Sequence, residues 1–155
     1  MNEFYPRKEV LPGLWVGSAK DARDQPFLRH IGLVVNCSKN IPFYTTHIPG
    51  YRVAVDDDTE ETILMTRYLE RVTKVIDDAL QNNTKVLIHC WAGMQRSSAV
   101  AAAYLMYKLF LGPEDAMKAI KKAKPESFEP NPTFMHALHR YWSILRRASR
   151  ASSSI

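Results

Sequence analysis

One stretch constrains this chain of 155 residues more than any other: a predicted strand, loop and helix across residues 85–106. Residues 86–88 form a short apolar run with β-branched side chains, which predicts a buried strand. Residues 99–106 are rich in strong helix formers. The loop between them begins at Cys90 and ends at Arg96. Because a helix turns its free N–H groups and the positive end of its dipole towards the preceding turn, this loop is predicted to bind an anion.

The two ends of the loop carry the chemistry of phosphate transfer. The guanidinium of Arg96 can bind an oxyanion through two parallel hydrogen bonds. A cysteine at a helix N-terminus beside a cation ionises readily, and its thiolate is a nucleophile. A single cysteine after an apolar strand is more often a small buried hydrophobe. The whole pattern of His89 and Cys90, five further residues, Arg96 and Ser97 is more specific, and predicts a phosphate cradle with Cys90 as nucleophile.

The remaining residues of this stretch have predicted supporting roles. Those expected to bind the phosphate are Trp91, Ala92, Gly93, Met94, Gln95 and Arg96. Gly93 is expected to supply a backbone conformation that other residues avoid. His89 is expected to hold the shape of the loop by hydrogen bonding, and Ser97 to donate a hydrogen bond to the sulfur when the phosphoenzyme breaks down.

A general acid is needed as well, because a poor leaving oxygen must receive a proton. Three consecutive carboxylates, Asp56, Asp57 and Asp58, follow a predicted strand at residues 51–55 and precede Thr62, a predicted helix cap. Adjacent carboxylates repel one another, which favours keeping one of them protonated. One residue of this run is therefore the predicted acid. The alternative is a solvated acidic turn whose charges stabilise the next helix.

Composition limits the kinds of partner and location. A net charge of +5 and a pI near 9.3 suit an anionic substrate. The two cysteines, Cys37 and Cys90, are far apart, no zinc-binding spacing or cofactor motif is found, and neither a metal nor a cofactor is expected. No apolar run approaches the length of a membrane span, and the N-terminus lacks the apolar core of a signal peptide. We expect an intracellular protein in a reducing compartment, which suits a reactive thiolate.

The order of the predicted elements indicates an α/β fold in a single domain. Strands and short helices alternate first: two strands joined at residues 12–13, one or two short helices in residues 19–30, and strands at residues 33–37 and 51–55. Long helices follow, at residues 63–82, 99–111, 114–123 and 133–148. We expect a central mixed, largely parallel sheet of about five strands flanked by helices, with the phosphate loop between strand and helix.

The domain boundaries follow from the same pattern. Residues 1–8 are predicted to be an N-terminal extension, and residues 9–147 the catalytic domain. Residues 148–155 are predicted to be a disordered basic, serine-rich tail.

The loop and its surroundings resemble those of cysteine-based dual-specificity protein phosphatases, the small atypical members of the protein-tyrosine phosphatase superfamily. Their signature is His-Cys, five residues, Arg, then Ser or Thr, and the likeness extends over roughly residues 8–145. It implies that Cys90 is the nucleophile, that Arg96 binds phosphate and that Ser97 assists hydrolysis of phosphocysteine. It also implies a phosphoprotein substrate carrying phosphotyrosine, phosphoserine or phosphothreonine, and no cofactor.

The resemblance leaves two candidates for the acid. In the family this residue commonly lies five positions before a polar helix cap that is followed by Leu or Ile. Thr62 fits that cap and points to Asp57, which we prefer. Counting from the preceding strand points to Asp58 instead, which stays the alternative.

Three other positions gain a meaning from the resemblance. Asn131 lies in a segment like the one that braces the phosphate loop in many relatives. Cys37 is a possible redox partner, because some relatives trap the oxidised nucleophile as a disulfide; the alternative is a buried core thiol. Gln95 stands where many relatives carry serine, and its bulk is expected to alter only the rim of the loop.

Two rival functions remain. The same chemistry could act on RNA 5′-phosphates or phosphoinositides, because basic residues cluster at 118–124 and 140–150, although such faces are more often simply solvated. Nucleic acid is therefore kept open as a partner without being favoured. A non-catalytic phosphate-binding scaffold is the third hypothesis, but idle relatives usually lose the cysteine or the arginine, and this chain keeps both. The sequence does not define the oligomeric state.

Overall fold

A five-stranded sheet forms the centre of the computed structural model, which describes residues 4–153. The strands are β1 (Lys8–Leu11), β2 (Leu14–Gly17), β3 (Leu33–Asn36), β4 (Gly50–Arg52) and β5 (Val86–His89). Their order across the sheet is β1-β2-β5-β3-β4. Only β1 and β2 pair antiparallel, and the other neighbouring pairs are parallel. The predicted α/β fold with a mixed, largely parallel sheet is therefore confirmed.

Helices cover both faces of this sheet. The α-helices among residues 4–153 are α1 (Gln25–Leu28), α2 (Thr62–Gln81), α3 (Arg96–Leu109), α4 (Pro113–Ala123) and α5 (Met135–Ser153). Short 3₁₀ helices precede α1 and α2, at Asp21–Arg23 and Thr59–Glu61. The larger core lies between the sheet and α2 to α5, and a smaller one lies between the sheet and α1.

Alternation along the strands divides these two cores. Ile88 and Val35 point into the larger core, whereas Leu87 and Val34 point into the smaller one with Phe27 of α1. Since β5 is covered on both faces, all four of its residues are buried. This is why its sequence is a continuous apolar run rather than an alternating one.

The central position of β5 places the predicted nucleophile in the middle of one edge of the sheet. Gly17, Asn36 and His89 are in register as the last residues of three neighbouring parallel strands. Cys37 and Cys90 are the next residues of two of those strands. The carboxyl edge of a parallel sheet is where ligands bind in such folds, and the phosphate loop begins there.

The start of α2 differs from the prediction that Thr62 caps it. The capping side chain is that of Asp58, whose Oδ1 accepts a hydrogen bond from the N–H of Glu60 at 2.8 Å. This cap opens a 3₁₀ turn that runs directly into the α-helix, and such turns are common at helix N-termini. The hydroxyl of Thr62 instead donates to the carbonyl of Thr59 at 2.7 Å.

The two ends of the chain also depart from the predicted boundaries. The helix α5 continues to Ser153, so a disordered tail from residue 148 is wrong for residues 148–153. The physical reason is helix propensity, because Arg and Ala are strong helix formers and extend the helix although residues 148–152 are exposed. At the other end, β1 already begins at Lys8. Residues 1–3 and 154–155 lie outside the described residues.

Neither a membrane span nor a metal-binding cluster is found among residues 4–153. None of the helices there combines the length and the apolarity needed to cross a bilayer. No three histidine, cysteine, aspartate or glutamate side chains in this part of the chain come close enough together to hold a metal ion. Both cysteines are free thiols and buried.

Candidate active site

The predicted nucleophile lies at the base of the loop between β5 and α3. Cys90 directly follows β5, and its side chain is buried beneath the loop. Its Sγ lies 3.1 Å from the Oγ of Ser97, which is on the first turn of α3 and fully buried. The structure thus brings the sulfur and the serine hydroxyl into hydrogen-bonding contact, as their predicted roles require.

Main-chain hydrogen bonds from outside the loop orient its peptide groups. Three loop carbonyls accept such bonds from three separate segments. The pairs, with N···O distances of 3.0, 3.1 and 3.1 Å, are Ala19 to Trp91, Tyr5 to Ala92 and Phe128 to Met94. Because the C=O and N–H of a trans peptide point in opposite directions, each bond turns the next N–H towards the interior of the loop. The inward N–H groups are therefore those of Ala92, Gly93 and Gln95.

Gly93 sits where no other residue fits. Its φ is +81°, in the region that favours glycine. A Cβ there would lie 2.9 Å from the carbonyl oxygen of Gly17 and 3.4 Å from the Nζ of Lys124. Lys124 is fully buried and pairs with Glu126 at 2.6 Å. The loop is therefore packed tightly against its support, and the conformation predicted for Gly93 is the one observed.

Arg96 connects the phosphate loop to the segment that contains the predicted acid. It is the first residue of α3 and is half-buried. Its Nη1 donates to the carbonyl of Val55 at 3.1 Å, immediately before the three aspartates. The guanidinium is thus held at the cleft by a neutral partner, and its charge remains available to a bound oxyanion.

His89 is a buried neutral histidine at the end of β5. Its Nδ1 lies 3.3 Å from the carbonyl oxygen of Cys90. Burial lowers its pKa to about 4, so the ring is neutral near pH 7 and its Nδ1–H is the donor to that carbonyl. This contact suits the predicted role of shaping the loop.

Gln95 does more than the sequence indicated. Its side chain is buried rather than part of the rim, and its amide forms three hydrogen bonds to the segment before α5. The Nε2 donates to the carbonyls of Glu129 and Asn131, each at 3.0 Å, and the Oε1 accepts from the N–H of Thr133 at 3.1 Å. The bracing contact predicted around Asn131 is therefore made by its main chain, while its side chain is exposed.

The three aspartates have different environments. Asp57 lines a cleft of about 450 Å³ together with Cys90 and Arg96. Asp58 is used as the cap of the 3₁₀ turn, and Asp56 forms an ion pair with Lys39 at 3.1 Å. Of the two candidates for the acid, only Asp57 lines this cleft.

The N-terminal segment forms part of the surroundings of the site, which the sequence did not indicate. The ring of Phe4 packs on Trp91 with centroids 5.1 Å apart, and Trp91 itself is 47% exposed at the rim. Arg7 anchors this segment through ion pairs with Asp21 at 3.0 Å and Asp24 at 2.8 Å. Residues 4–7 therefore belong to the site structurally, although they were predicted to be an extension.

The sequence and fold of this chain are similar to those of known proteins. The family model described as "Dual specificity phosphatase, catalytic domain" matches residues 14–144. Human dual specificity protein phosphatase 9 is 32% identical over 149 residues, covering 93% of this chain and 38% of that protein. Arabidopsis thaliana dual specificity protein phosphatase 1B is 33% identical over 138 residues, covering 86% and 80% respectively. The crystal structure of human DUSP28 has a TM-score of 0.83 at 33% identity, covering 91% of this chain and 95% of that one.

The class defined by the fold and the loop is that of phosphatases with a cysteine nucleophile. Within that class, the chain belongs to the dual-specificity phosphatase family, which confirms the resemblance inferred from its sequence. It spans 38% and 22% of the lengths of human dual specificity protein phosphatases 9 and 8.

Proposed function

We propose that this chain hydrolyses phosphate monoesters on phosphoproteins, at phosphotyrosine and at phosphoserine or phosphothreonine, through a cysteinyl-phosphate intermediate. The observation that carries the proposal is the juxtaposition in one cleft of the Cys90 sulfur, inward main-chain N–H groups, Arg96 and one carboxylate. Members that only bind phosphate usually lack the cysteine or the arginine, so catalysis is favoured over a scaffold.

The reaction has two steps. The thiolate of Cys90 attacks phosphorus, the P–O bond to the substrate breaks, and a carboxylic acid protonates the departing oxygen. The negative charge of the transferred group is stabilised by the loop N–H groups and the Arg96 guanidinium. The carboxylate then takes a proton from water as the water attacks phosphorus, and the sulfur leaves with a hydrogen bond from Ser97.

Asp57 is our choice for the acid. It lines the cleft with Cys90, whereas the carboxylate of Asp58 is already bound to the N–H of Glu60. The capping contact holds the Asp58 carboxylate at the start of the 3₁₀ turn, outside the lining of the cleft. The resemblance and the structure therefore support the same residue.

Turnover of several phosphate esters by the same preparation tests this function. p-Nitrophenyl phosphate, a phosphotyrosyl peptide and a phosphothreonyl peptide should all release phosphate in the presence of a chelator, and the Cys90→Ser variant should release none. Phosphate release that persists in Cys90→Ser, or none from any ester with the unmodified chain, would refute the proposal.

The same assay compares the rival substrates. An RNA with a 5′-triphosphate and a phosphoinositide are included at matched concentrations. A kcat/KM for either that exceeds the value for both phosphopeptides would transfer the activity to that substrate class.

We place the activity in a reducing intracellular compartment, which is supported by two free cysteines, one of them the nucleophile.

A further inference from the structure

The exposed side of α5 carries positive charge that the proposed reaction does not use. Residues 130–155 contain four arginines and no aspartate or glutamate. Arg140, Arg146 and Arg147 are exposed. None of these three forms an ion pair or a side-chain hydrogen bond with any residue among 4–153. Protein surfaces usually intersperse both signs of charge, so this face has an unusually strong attraction for anions.

This face begins close to the catalytic cleft. The helix α5 begins two residues after Thr133, which lines the cleft. A surface depression between the start of α2 and α5 is lined by Thr62, His136 and Arg140, and by two further α5 residues. A second depression shares Arg140 and Ser143 with the first and continues along α5 to Arg150. Two adjoining depressions therefore run along α5 past the arginines, and the nearer one includes His136, three residues after Thr133 of the cleft.

The spacing of the basic residues matches an extended chain. Four residues of α5 lie on one side of the helix because they are spaced by three or four positions: Arg140, Ser143, Arg147 and Arg150. At a rise of 1.5 Å per residue, Arg140 is about 10 Å and Arg150 about 25 Å along α5 from Thr133. An extended peptide covers about 3.3 Å per residue, so it would meet these arginines roughly three to eight positions from the phosphorylated residue.

We propose that the arginine side of α5 is a docking surface for an acidic segment of the phosphoprotein substrate, three to eight residues from the phosphorylated side chain. The proposal rests on the proposed function and adds its substrate class: phosphoproteins with Asp, Glu or further phosphoresidues at that distance. The basis is charge complementarity together with the two adjoining depressions that run along α5 past the arginines, beginning close in sequence to Thr133 of the cleft.

The chemistry of this face favours a peptide over a membrane or an RNA. Membrane-binding helices place large apolar side chains beside their cations, and single-stranded RNA is held largely by stacking on exposed aromatic rings. The exposed large hydrophobic residues among 4–153 are Tyr44, Ile63, Trp91, Leu109 and Phe110, and none of them lies on α5. The nearby acid Glu114 is already paired with His139 at 2.9 Å and forms no ion pair with Arg140, Arg146 or Arg147.

A charge reversal on this face is the test, with a matched reversal elsewhere as control. The variant is Arg140→Glu with Arg147→Glu. The control is Lys118→Glu with Lys122→Glu on α4, which changes the net charge equally at two other exposed positions. The substrates are a phosphotyrosyl peptide with four Asp or Glu residues three to eight positions from phosphotyrosine, its Asn/Gln counterpart, and p-nitrophenyl phosphate.

The unmodified chain should prefer the acidic peptide by about five- to tenfold in kcat/KM, mainly through KM, because several weak exposed charge pairs act together. The preference should fall as salt is raised. The α5 variant should lose it, the α4 control should keep it, and both should hydrolyse p-nitrophenyl phosphate at the unmodified rate. Circular dichroism and the milder pair Arg140→Gln with Arg147→Gln separate loss of docking from loss of folding.

The outcomes that overturn the docking surface differ from those that overturn the phosphatase. No preference for the acidic peptide, or an equal loss in both reversals, rejects docking on α5 while hydrolysis of all three esters stands. Reduced binding of phosphatidylserine vesicles or single-stranded RNA by the α5 variant, with the peptide preference intact, also rejects it. Absence of hydrolysis of every ester rejects the proposed function instead.

Discussion

The phosphate loop and the acid loop differ in how they are held. Three carbonyls of the phosphate loop accept main-chain hydrogen bonds from three separate segments, and the side chain of Gln95 adds three more bonds. The acid loop at residues 56–61 is exposed on most of its length and is tied down mainly by Lys39, which contacts Asp56 and Glu61 at 3.1 and 2.6 Å. One loop is embedded in the fold, and the other is attached at its ends.

This difference matches the separate demands of the two steps in the proposed reaction. Transition-state charge is stabilised best by dipoles that do not reorganise, so the loop around the sulfur must be rigid. In the proposed reaction the acid serves a leaving group and then a water at somewhat different positions, which a loosely held segment can follow. Substitutions in each of the two loops test this division.

Cys90→Ser should reduce turnover to background while leaving phosphopeptide binding intact. The bonds that orient the loop come from main-chain groups and from Gln95, and none of them involves the thiol. Calorimetric titration with a phosphopeptide measures binding, and phosphate release measures turnover. Loss of binding together with turnover would show that the sulfur itself supports the rigid loop. The loop would then not be held by main-chain bonds and Gln95 alone.

Asp57→Ala should lower kcat by about 10²–10⁴-fold on phosphopeptides, the usual contribution of acid catalysis. The loss should be much smaller on p-nitrophenyl phosphate, whose leaving group needs little protonation. Asp58→Ala is the matched control, and should mainly cost stability of about 1 kcal/mol through the lost cap. The reverse pattern, with Asp58→Ala crippling and Asp57→Ala silent, would move the acid by one position.

Tyr5→Pro should weaken inhibition by vanadate by about two- to tenfold, because it removes the N–H that holds the carbonyl of Ala92, and one hydrogen bond is worth roughly 0.5–1.5 kcal/mol. Tyr5→Ala keeps that N–H and loses only the ring, which lies 5.8 Å from the Nζ of Lys124. Inhibition constants for both variants decide between them. Equal weakening would assign the effect to the ring and not to the main chain.

Cys37→Ala should have the smallest effect of these substitutions on phosphatase activity under reducing conditions. Its effect should appear only after oxidation. Cys37 follows Asn36 and Cys90 follows His89, two residues paired in register, and parallel strands lie about 4.8 Å apart, within reach of a disulfide. Burial raises the pKa of the Cys37 thiol well above its ordinary value, so it stays protonated until a sulfenic acid forms beside it.

Peroxide would oxidise the Cys90 thiolate to a sulfenic acid, and the Cys37 thiol would displace water from it to form the disulfide. In the unmodified chain a reductant should therefore restore activity, and mass spectrometry should detect the cross-link. In Cys37→Ala the loss should be permanent. Only irreversible over-oxidation of Cys90 in the unmodified chain would identify Cys37 as a plain core residue.

Local features were predictable from the sequence, and contacts between distant segments were not. The β5 strand, the loop and α3 follow from apolar runs, helix propensity and the spacing of Cys90 and Arg96, all within twenty residues or so. The brace made by Gln95 joins positions more than thirty residues apart, and the donor Tyr5 lies in a segment with no periodic pattern. Such pairings depend on the packed fold and leave no trace in local composition.

The sequence favoured Asp57 as the acid but left Asp58 open beside it. Asp57 and Asp58 are chemically identical, and what separates them is the backbone geometry that turns one towards the cleft and uses the other as a cap. The prediction of disorder for the C-terminal residues was wrong because it gave too little weight to helix propensity. Serine and arginine there indicated disorder, but the intrinsic helix preference of Arg and Ala was sufficient to extend α5.

The bond from Tyr5 to Ala92 has a practical consequence for dissecting this protein. The match to the family model begins at residue 14, and a truncation designed on that boundary would delete β1 as well as this donor. Such a fragment would keep every residue of the signature and still have a slackened anion cradle. Kinetic constants measured on a protein with a trimmed or tag-fused N-terminus would then reflect the altered N-terminus and not the unmodified chain.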